Sequence, residues 1–242
     1  MVKITISEHI TLEKSPLLLI QDLQTLLWVD NEDYIKKVRM NLWIGKTPRK
    51  LYLYIKDQDK FIIPYGVKQL LFDLLKKHNL KYEIIEQHTS HNIEFNLKQQ
   101  LNLYEYQTNA LEEVLKANNG ILISPAGSGK TRMAMELIRK RNVKTLWLTH
   151  TLDLLRQSKK VYRNFFGNKA GEISGGKINI QDITFATVQT LNNVDMNVFK
   201  DSFEMVIVDE AHRIGGTPTN LTMFYKVLSN LNAKYKYGLT AT

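Results

Sequence analysis

The segment that most constrains this chain is Ser124-Pro-Ala-Gly-Ser-Gly-Lys-Thr131, set between the apolar run Gly120–Ile123 and a helix-like stretch from Arg132 to Arg141. A strand, a loop rich in small residues and a helix in that order form an anion site. Successive backbone N–H groups curl around phosphate, and the positive end of the helix dipole adds to them. On this reading Pro125, Ala126, Gly127, Ser128 and Gly129 cradle the phosphates of a nucleotide. Lys130 reaches the β and γ oxygens, and Thr131 holds Mg²⁺ through its hydroxyl. Ser124 occupies the first position of the pattern, where glycine is usual. An ordinary flexible turn is the plain alternative, and the strand-loop-helix context argues against it.

A second anchor lies 79 residues after Lys130, where the apolar strand Val206-Ile-Val208 delivers Asp209 and Glu210 side by side, followed by Ala211 and His212. In an open parallel sheet, ligands bind at the carboxyl ends of strands. Asp209 is therefore placed to support the Mg²⁺ held by Thr131, and Glu210 to orient or deprotonate a water in line with the γ-phosphate. Lys130, Asp209 and Glu210 are the candidate catalytic residues. From about residue 98, helix and strand patterns alternate: a helix from Leu103, strands at Gly120, Lys144, Ile183, Phe203 and Lys236, and a helix Leu152–Phe166. Such alternation implies a mainly parallel sheet covered on both faces.

Residues 1–97 read as a small α+β domain. Val2–Ile6 alternates as a strand, Ser15–Leu27 and Asp30–Arg39 as helices, and Leu51–Ile55 with Phe61–Ile63 as a hairpin around the polar Lys56–Lys60. An amphipathic helix from Val67 and a strand from Lys81 complete it. Tyr52, Tyr54 and Tyr65, near Lys46, Arg49, Lys50 and Lys68, are either a nucleic-acid surface or the core and rim of a sheet. His88 and His91 have metal-like spacing with no third ligand close by, and their polar stretch reads as the linker between domains 1–97 and 98–242.

Lys and Arg number 33 against 24 Asp and Glu, a net charge of +9 that suits a polyanionic partner such as nucleic acid. The runs Arg139–Arg141 with Lys144, and Arg156, Lys159, Lys160 and Arg163, are solvated helix faces or tracks for a phosphate backbone. The chain has no cysteine, no apolar run near the roughly 20 residues that cross a bilayer, and no signal-peptide pattern at its start. A cytoplasmic, membrane-free protein is expected.

Together, Gly127–Thr131, Asp209-Glu-Ala-His212 and Thr240-Ala-Thr242 resemble motifs I, II and III of superfamily 2 helicases. Leu146–Gln157 is similar to motif Ia, with His150 where proline is common, and Thr184–Leu191 to motif Ib. Tyr104-Glu-Tyr-Gln107 resembles the Q motif, which implies that Gln107 reads the adenine edge. Gly171–Lys177 with the stretch that follows looks most like the XPB, UvsW and type III restriction branch. The resemblance covers roughly residues 103–242 and implies an α/β, RecA-like P-loop domain that uses ATP and Mg²⁺ and acts on nucleic acid, DNA more than RNA. It implies that His212, Thr240 and Thr242 couple the nucleotide to the nucleic-acid groove, and that Thr151 and Thr187 face strand phosphates. Such motors work between two RecA-like domains. These 242 residues accordingly read as an accessory domain, possibly DNA-binding, plus the first motor domain, able to bind ATP but hydrolysing it poorly. The open alternatives are a translocase or remodeller that never unwinds and a non-enzymatic, ATP-switched binding module.

Overall fold

The structure is a computed structural model that describes residues 1–88, 90, 93, 101–167, 169–215 and 222–241. The chain divides into two compact units, Met1–Gln87 with Gly216–Tyr225, and His88–Gly215 with Lys226–Thr242.

In the first unit the order is β1 (Val2–Ile6), β2 (His9–Glu13), α1 (Leu17–Leu26), β3 (Trp28–Asp30), α2 (Glu32–Arg39), β4 (Lys50–Tyr52), β5 (Ile55–Asp57), β6 (Lys60–Pro64), α3 (Lys68–Lys77) and β7 (Tyr82–Glu86). Five strands form a sheet ordered β5-β6-β2-β1-β7, in which β1 and β7 run parallel and the other neighbours antiparallel. Alternation decides which face is inside. Val2, Ile4 and Ile6, Ile10 and Leu12, and Phe61 and Ile63 all point to one side, against Leu19 and Leu23 of α1 and Leu71, Leu74 and Leu75 of α3. Asn31 starts α2 by accepting from Asp33 N–H and ties it to the loop before β4 by donating to Pro48 O at 2.8 Å.

The expected hairpin is re-registered. Its first half, Lys50–Tyr52, pairs with β3, while Ile55–Asp57 turns at Gln58 and pairs with β6. Gln58 adopts φ +48°, so the tight turn falls inside the polar run Lys56–Lys60 and strand pairing extends into it from both sides. The aromatic surface is also mostly core: Tyr65 is buried, and Tyr54 stacks on Phe61 at 4.9 Å, leaving Tyr52 half-exposed.

The second unit follows with α4 (Glu105–Lys116), β8 (Asn119–Ile123), α5 (Lys130–Arg141), β9 (Thr145–Thr149), α6 (Leu152–Phe166), β10 (Gly171–Ser174), β11 (Lys177–Asn179), β12 (Ile183–Thr187), α7 (Val188–Asn192), β13 (Met205–Asp209), α8 (Met223–Ser229) and β14 (Tyr235–Thr240). Seven strands are ordered β11-β10-β12-β9-β13-β14-β8, all parallel except β11 at one edge. This is the expected α/β class. β9 and β12 are buried at every residue and β13 at all but the last, as strands covered on both faces must be. Trp147 and Phe185 on the sheet meet Tyr162 and Phe166 of α6 in the core. The hairpin β10–β11 turns on Gly175 and Gly176, with φ +54° and +82°, and adds two strands that the sequence reading does not contain. No helix among the described residues is long and apolar enough to cross a membrane.

Candidate nucleotide site

Parallel pairing brings the chemistry-bearing loops to one edge. Ile123 pairs with Thr240, and Asp209 with Leu239, so β8, β14 and β13 end level, neighbours about 4.8 Å apart. The loop after β8 and the Asp209–Glu210 pair after β13 thus face one edge with only β14 between them. Ser124 N–H donates to Thr240 O at 3.0 Å and so extends the ladder by one step into the loop.

The loop is held from within and from α4. Ser124 Oγ donates to Ser128 Oγ at 2.6 Å, which gives the serine at the glycine position a bond across the loop's mouth. Lys130 Nζ donates to Ser124 O at 2.7 Å and Pro125 O at 3.0 Å. Gly127 and Gly129 have φ +79° and +83°, conformations that exclude most side chains. A Cβ on Gly129 would also stand 2.5 Å from Gln107 Nε2. Gly129 caps α5 without any side-chain acceptor, so the first N–H groups of that helix have no protein cap.

Gln107, expected to read the adenine edge, is buried; its Oε1 accepts Tyr104 N–H at 3.0 Å and its Nε2 donates to Ser128 O at 2.8 Å. Gln107 thus closes the start of α4 and braces the loop. Tyr106, which sequence reasoning passed over, donates its hydroxyl to Ser128 O at 3.0 Å, and its exposed ring lies stacked with that of Tyr104. The signal lay in the same Tyr104–Gln107 stretch.

At the other loop, Asp209 Oδ1 accepts the Glu210 N–H at 3.1 Å and Oδ2 lies 3.5 Å from the Ser158 hydroxyl of α6. Burial, then the Glu210 charge, push the Asp209 carboxyl above the ordinary carboxylate range, against the Glu210 N–H, Ser158 and Lys130, which pull it down. Glu210 sits in the left-handed region, φ +57° and ψ +50°, an unfavourable place for a non-glycine residue. His212 Nδ1 lies between Glu210 Oε2, 3.3 Å, and Thr240 Oγ1, 3.1 Å. A continuous polar chain therefore runs from Glu210 through His212 and Thr240 to Ser124. Gly238 makes room for it, since a Cβ there would stand 2.6 Å from Ala211 Cβ.

The raised Asp209 carboxyl carries a sign. A folded state that holds the proton more tightly than the unfolded chain loses stability as pH rises through and above the usual carboxylate range. Asp209→Asn is therefore expected to raise Tm at pH 7 in the absence of Mg²⁺, by about 2–4 °C for each kcal/mol relieved, with the gain vanishing at pH 4. A Tm at pH 7 equal to or below wild type would show that the buried charge is compensated.

Thr131 follows Lys130 in the first turn of α5, and its hydroxyl and the Asp209 carboxylate are both oxygen donors, the type Mg²⁺ takes. Thr151 caps α6 by accepting from Leu154 N–H at 3.3 Å and is exposed. Thr187, expected to face strand phosphates, is buried at the end of β12, which is covered on both faces, and its hydroxyl shares a hydrogen bond with Thr190. His150, after β9, meets Gln189 of α7 at 3.3 Å. Thr242 and His91 lie outside the described residues. Among the described residues no group of three or more His, Asp or Glu is arranged to hold a metal. Of the first basic run, Arg139 pairs with Glu136, and Arg141 binds Tyr237 and the carbonyls of Leu115 and Ala117, so both serve the fold.

The family model "Type III restriction enzyme, res subunit" matches residues 100–242. A "DNA 3'-5' translocase XPB2" of Sulfurisphaera tokodaii is 30% identical over 171 residues, 69% of this chain and 37% of that protein. A "Probable helicase D10" of Escherichia phage T5 is 31% identical over 178 residues, 70% of this chain and 36% of its own length. The chain thus spans little more than a third of these relatives. In fold, it is similar to the UvsW helicase of bacteriophage T4, with TM-score 0.70 at 19% identity over 100% of this chain and 92% of that one. The chain belongs to the type III restriction enzyme res-subunit family, within the XPB branch of superfamily 2 helicases.

Proposed function

We propose that the chain is the ATP-binding lobe of a DNA-dependent ATPase that couples hydrolysis to unwinding or translocation of DNA. The observation that carries this reading is the level ending of β8, β14 and β13, which faces the Ser124–Thr131 loop and the Asp209–Glu210 pair onto one edge. Names of relatives favour DNA over RNA, and they divide between translocase and helicase.

The division of labour follows from chemistry. Pro125–Gly129 and the uncapped N–H groups of α5 hold phosphate, and Lys130 leaves the Ser124 and Pro125 carbonyls to neutralise the β and γ oxygens. Thr131 and Asp209 would hold Mg²⁺, which when bound offsets phosphate charge and the cost of burying Asp209. Glu210 accepts a hydrogen bond from the attacking water and takes its proton. Gln107 keeps Ser128 O turned inward, so the loop's N–H groups point outward, and the exposed Tyr106 ring offers a face to the base. His212, between Glu210 and Thr240, passes the state of the site along the edge towards Thr151, the exposed hydroxyl beyond β9. Residues 1–97 are assigned as a DNA-contacting accessory domain, in a protein acting inside the cell.

These 242 residues alone should bind Mg-ATP and turn it over slowly, because an arginine from a second lobe supplies about 10³–10⁵ of rate in related phosphoryl transfer. The test is steady-state ATP hydrolysis with and without duplex and single-stranded DNA, with Lys130→Ala as the blank. Nucleotide binding with DNA-sensitive turnover supports the motor reading. Nucleotide binding with no turnover, even when the sequence is extended to the length of its relatives, would refute it in favour of an ATP-switched module.

A further inference from the structure

We propose that the trough between α6 and the β10–β11 hairpin is a second nucleic-acid site that grips one strand by its phosphates. It rests on the nucleic-acid reading above and adds a place that the level strand ends do not supply. A hollow of about 670 Å³ is lined by Lys159, Arg163, Lys169, Glu172, Lys177 and Asn179. A second, of about 260 Å³, shares Lys159, Arg163 and Glu172 and continues along α6 past Lys160 to Arg156. Together they make one continuous channel.

Its charge is unbalanced by design of the packing. Glu172 is the only acid among the described lining residues, and it is already met by Lys159 at 2.5 Å and by the Ser174 hydroxyl at 2.7 Å. Those contacts hold its carboxyl below the ordinary range, so it stays ionised and locked to Lys159. Lys160, Arg163, Lys169 and Lys177 are exposed around it, and none makes an ion pair among the described residues. The dipole at the end of α6 accounts for Arg163 alone. Like charges gathered on a concave wall repel one another and focus a positive field into the hollow, an arrangement that a polyanion relieves.

Shape and position select the polyanion. Arg156 to Arg163 covers seven residues of helix, about 10 Å, or roughly three nucleotides of a B-form strand. Among the described residues no aromatic ring lines the channel, so contact is with phosphate and carries no base preference. The channel starts one turn into α6, whose cap Thr151 lies on the carboxyl edge proposed to meet nucleic acid. β10 stands five strand steps from β8, about 24 Å, so a strand here leaves the nucleotide loop clear.

The test is a salt titration of binding to a labelled 20-nucleotide single strand and its duplex, for wild type, Arg163→Gln/Lys177→Gln and the control Lys140→Gln. Both trough residues are exposed, so the variants should fold. The log–log salt slope is expected to fall by about two on the duplex for the trough variant, equally for different sequences, with Mg-ATP affinity unchanged. Wild type that binds neither probe would overturn the nucleic-acid reading itself. Binding by wild type with the same slope in the trough variant would overturn the trough alone. So would a variant that loses binding of inorganic tripolyphosphate or polyglutamate while its nucleic-acid slope stays at the wild-type value.

Discussion

Lys130→Ala is expected to weaken Mg-ATP binding roughly 10- to 100-fold. The lysine bonds two carbonyls of its own loop, Ser124 O and Pro125 O, and on the proposed reading exchanges them for phosphate oxygens. Hydrogen bonds to a charged partner are worth about 1.5–3 kcal/mol, which is that range of affinity. Without nucleotide the variant should melt close to wild type, because the Ser124–Ser128 bond, the Gln107 brace and the Ser124–Thr240 step still hold the loop. The measurement is therefore Tm with and without Mg-ATP. At 100 times the wild-type Kd, ligand stabilises a fold by about 2.7 kcal/mol, or roughly 5–10 °C for a chain of this size. Wild type should show that shift and Lys130→Ala at the same concentration only about a half to a seventh of it. A variant shifted as far as wild type would place the phosphates elsewhere.

The parts of the site legible in the sequence are those written in consecutive residues. The loop from Ser124 to Thr131 needs small residues in sequence, and α6 announces both ends, with Thr151 at its start and Gly167 at φ +68° after its close. What escaped depended on partners far along the chain. That the Gln107 amide bonds Ser128 O is decided 21 residues away. Thr187 looks like a free hydroxyl in the sequence, but it ends a strand covered on both faces and bonds Thr190. The β3–β4 pair joins Trp28 to Tyr52 across a helix and a loop, so Leu51 could be matched to the wrong neighbour. The β10–β11 hairpin was detectable, since Gly175-Gly176 is a strong turn signal, yet its strands are only four and three residues long.

That hairpin matters because it converts a charged face into a channel. Arg156, Lys159, Lys160 and Arg163 recur on one side of α6, and a helix alone offers no reason to prefer a bound strand over solvent. Glu172 on β10 draws Lys159 inward, and Lys177 at the head of β11 closes the far wall. The same sheet thus carries candidate phosphate contacts at both ends: triphosphate beyond β8 and strand backbone beside β10. β14, β13, β9 and β12 connect them, and the polar chain from Ser124 through Thr240 and His212 to Glu210 spans the first of those steps.

Glu210→Gln is expected to leave Mg-ATP affinity within about threefold of wild type and to cut hydrolysis by about 10²–10⁴, the usual contribution of a positioned base. The substitution isolates the proton acceptor. Glutamine has the same length, keeps an oxygen for His212 and is strained equally at φ +57°, so direction is preserved while basicity is lost. Asp209 should not rescue it, because its Oδ1 accepts the backbone N–H of residue 210 and on the proposed reading the carboxylate is engaged with Mg²⁺. Since turnover by these residues alone is expected to be slow, the reaction is followed under single-turnover conditions, enzyme in excess, over hours. Turnover at the Lys130→Ala background with unchanged nucleotide-dependent Tm is the expected result. Wild-type turnover would remove Glu210 from the chemistry, and loss of the Tm shift together with turnover would make it a binding residue, moving the search for the base to His212.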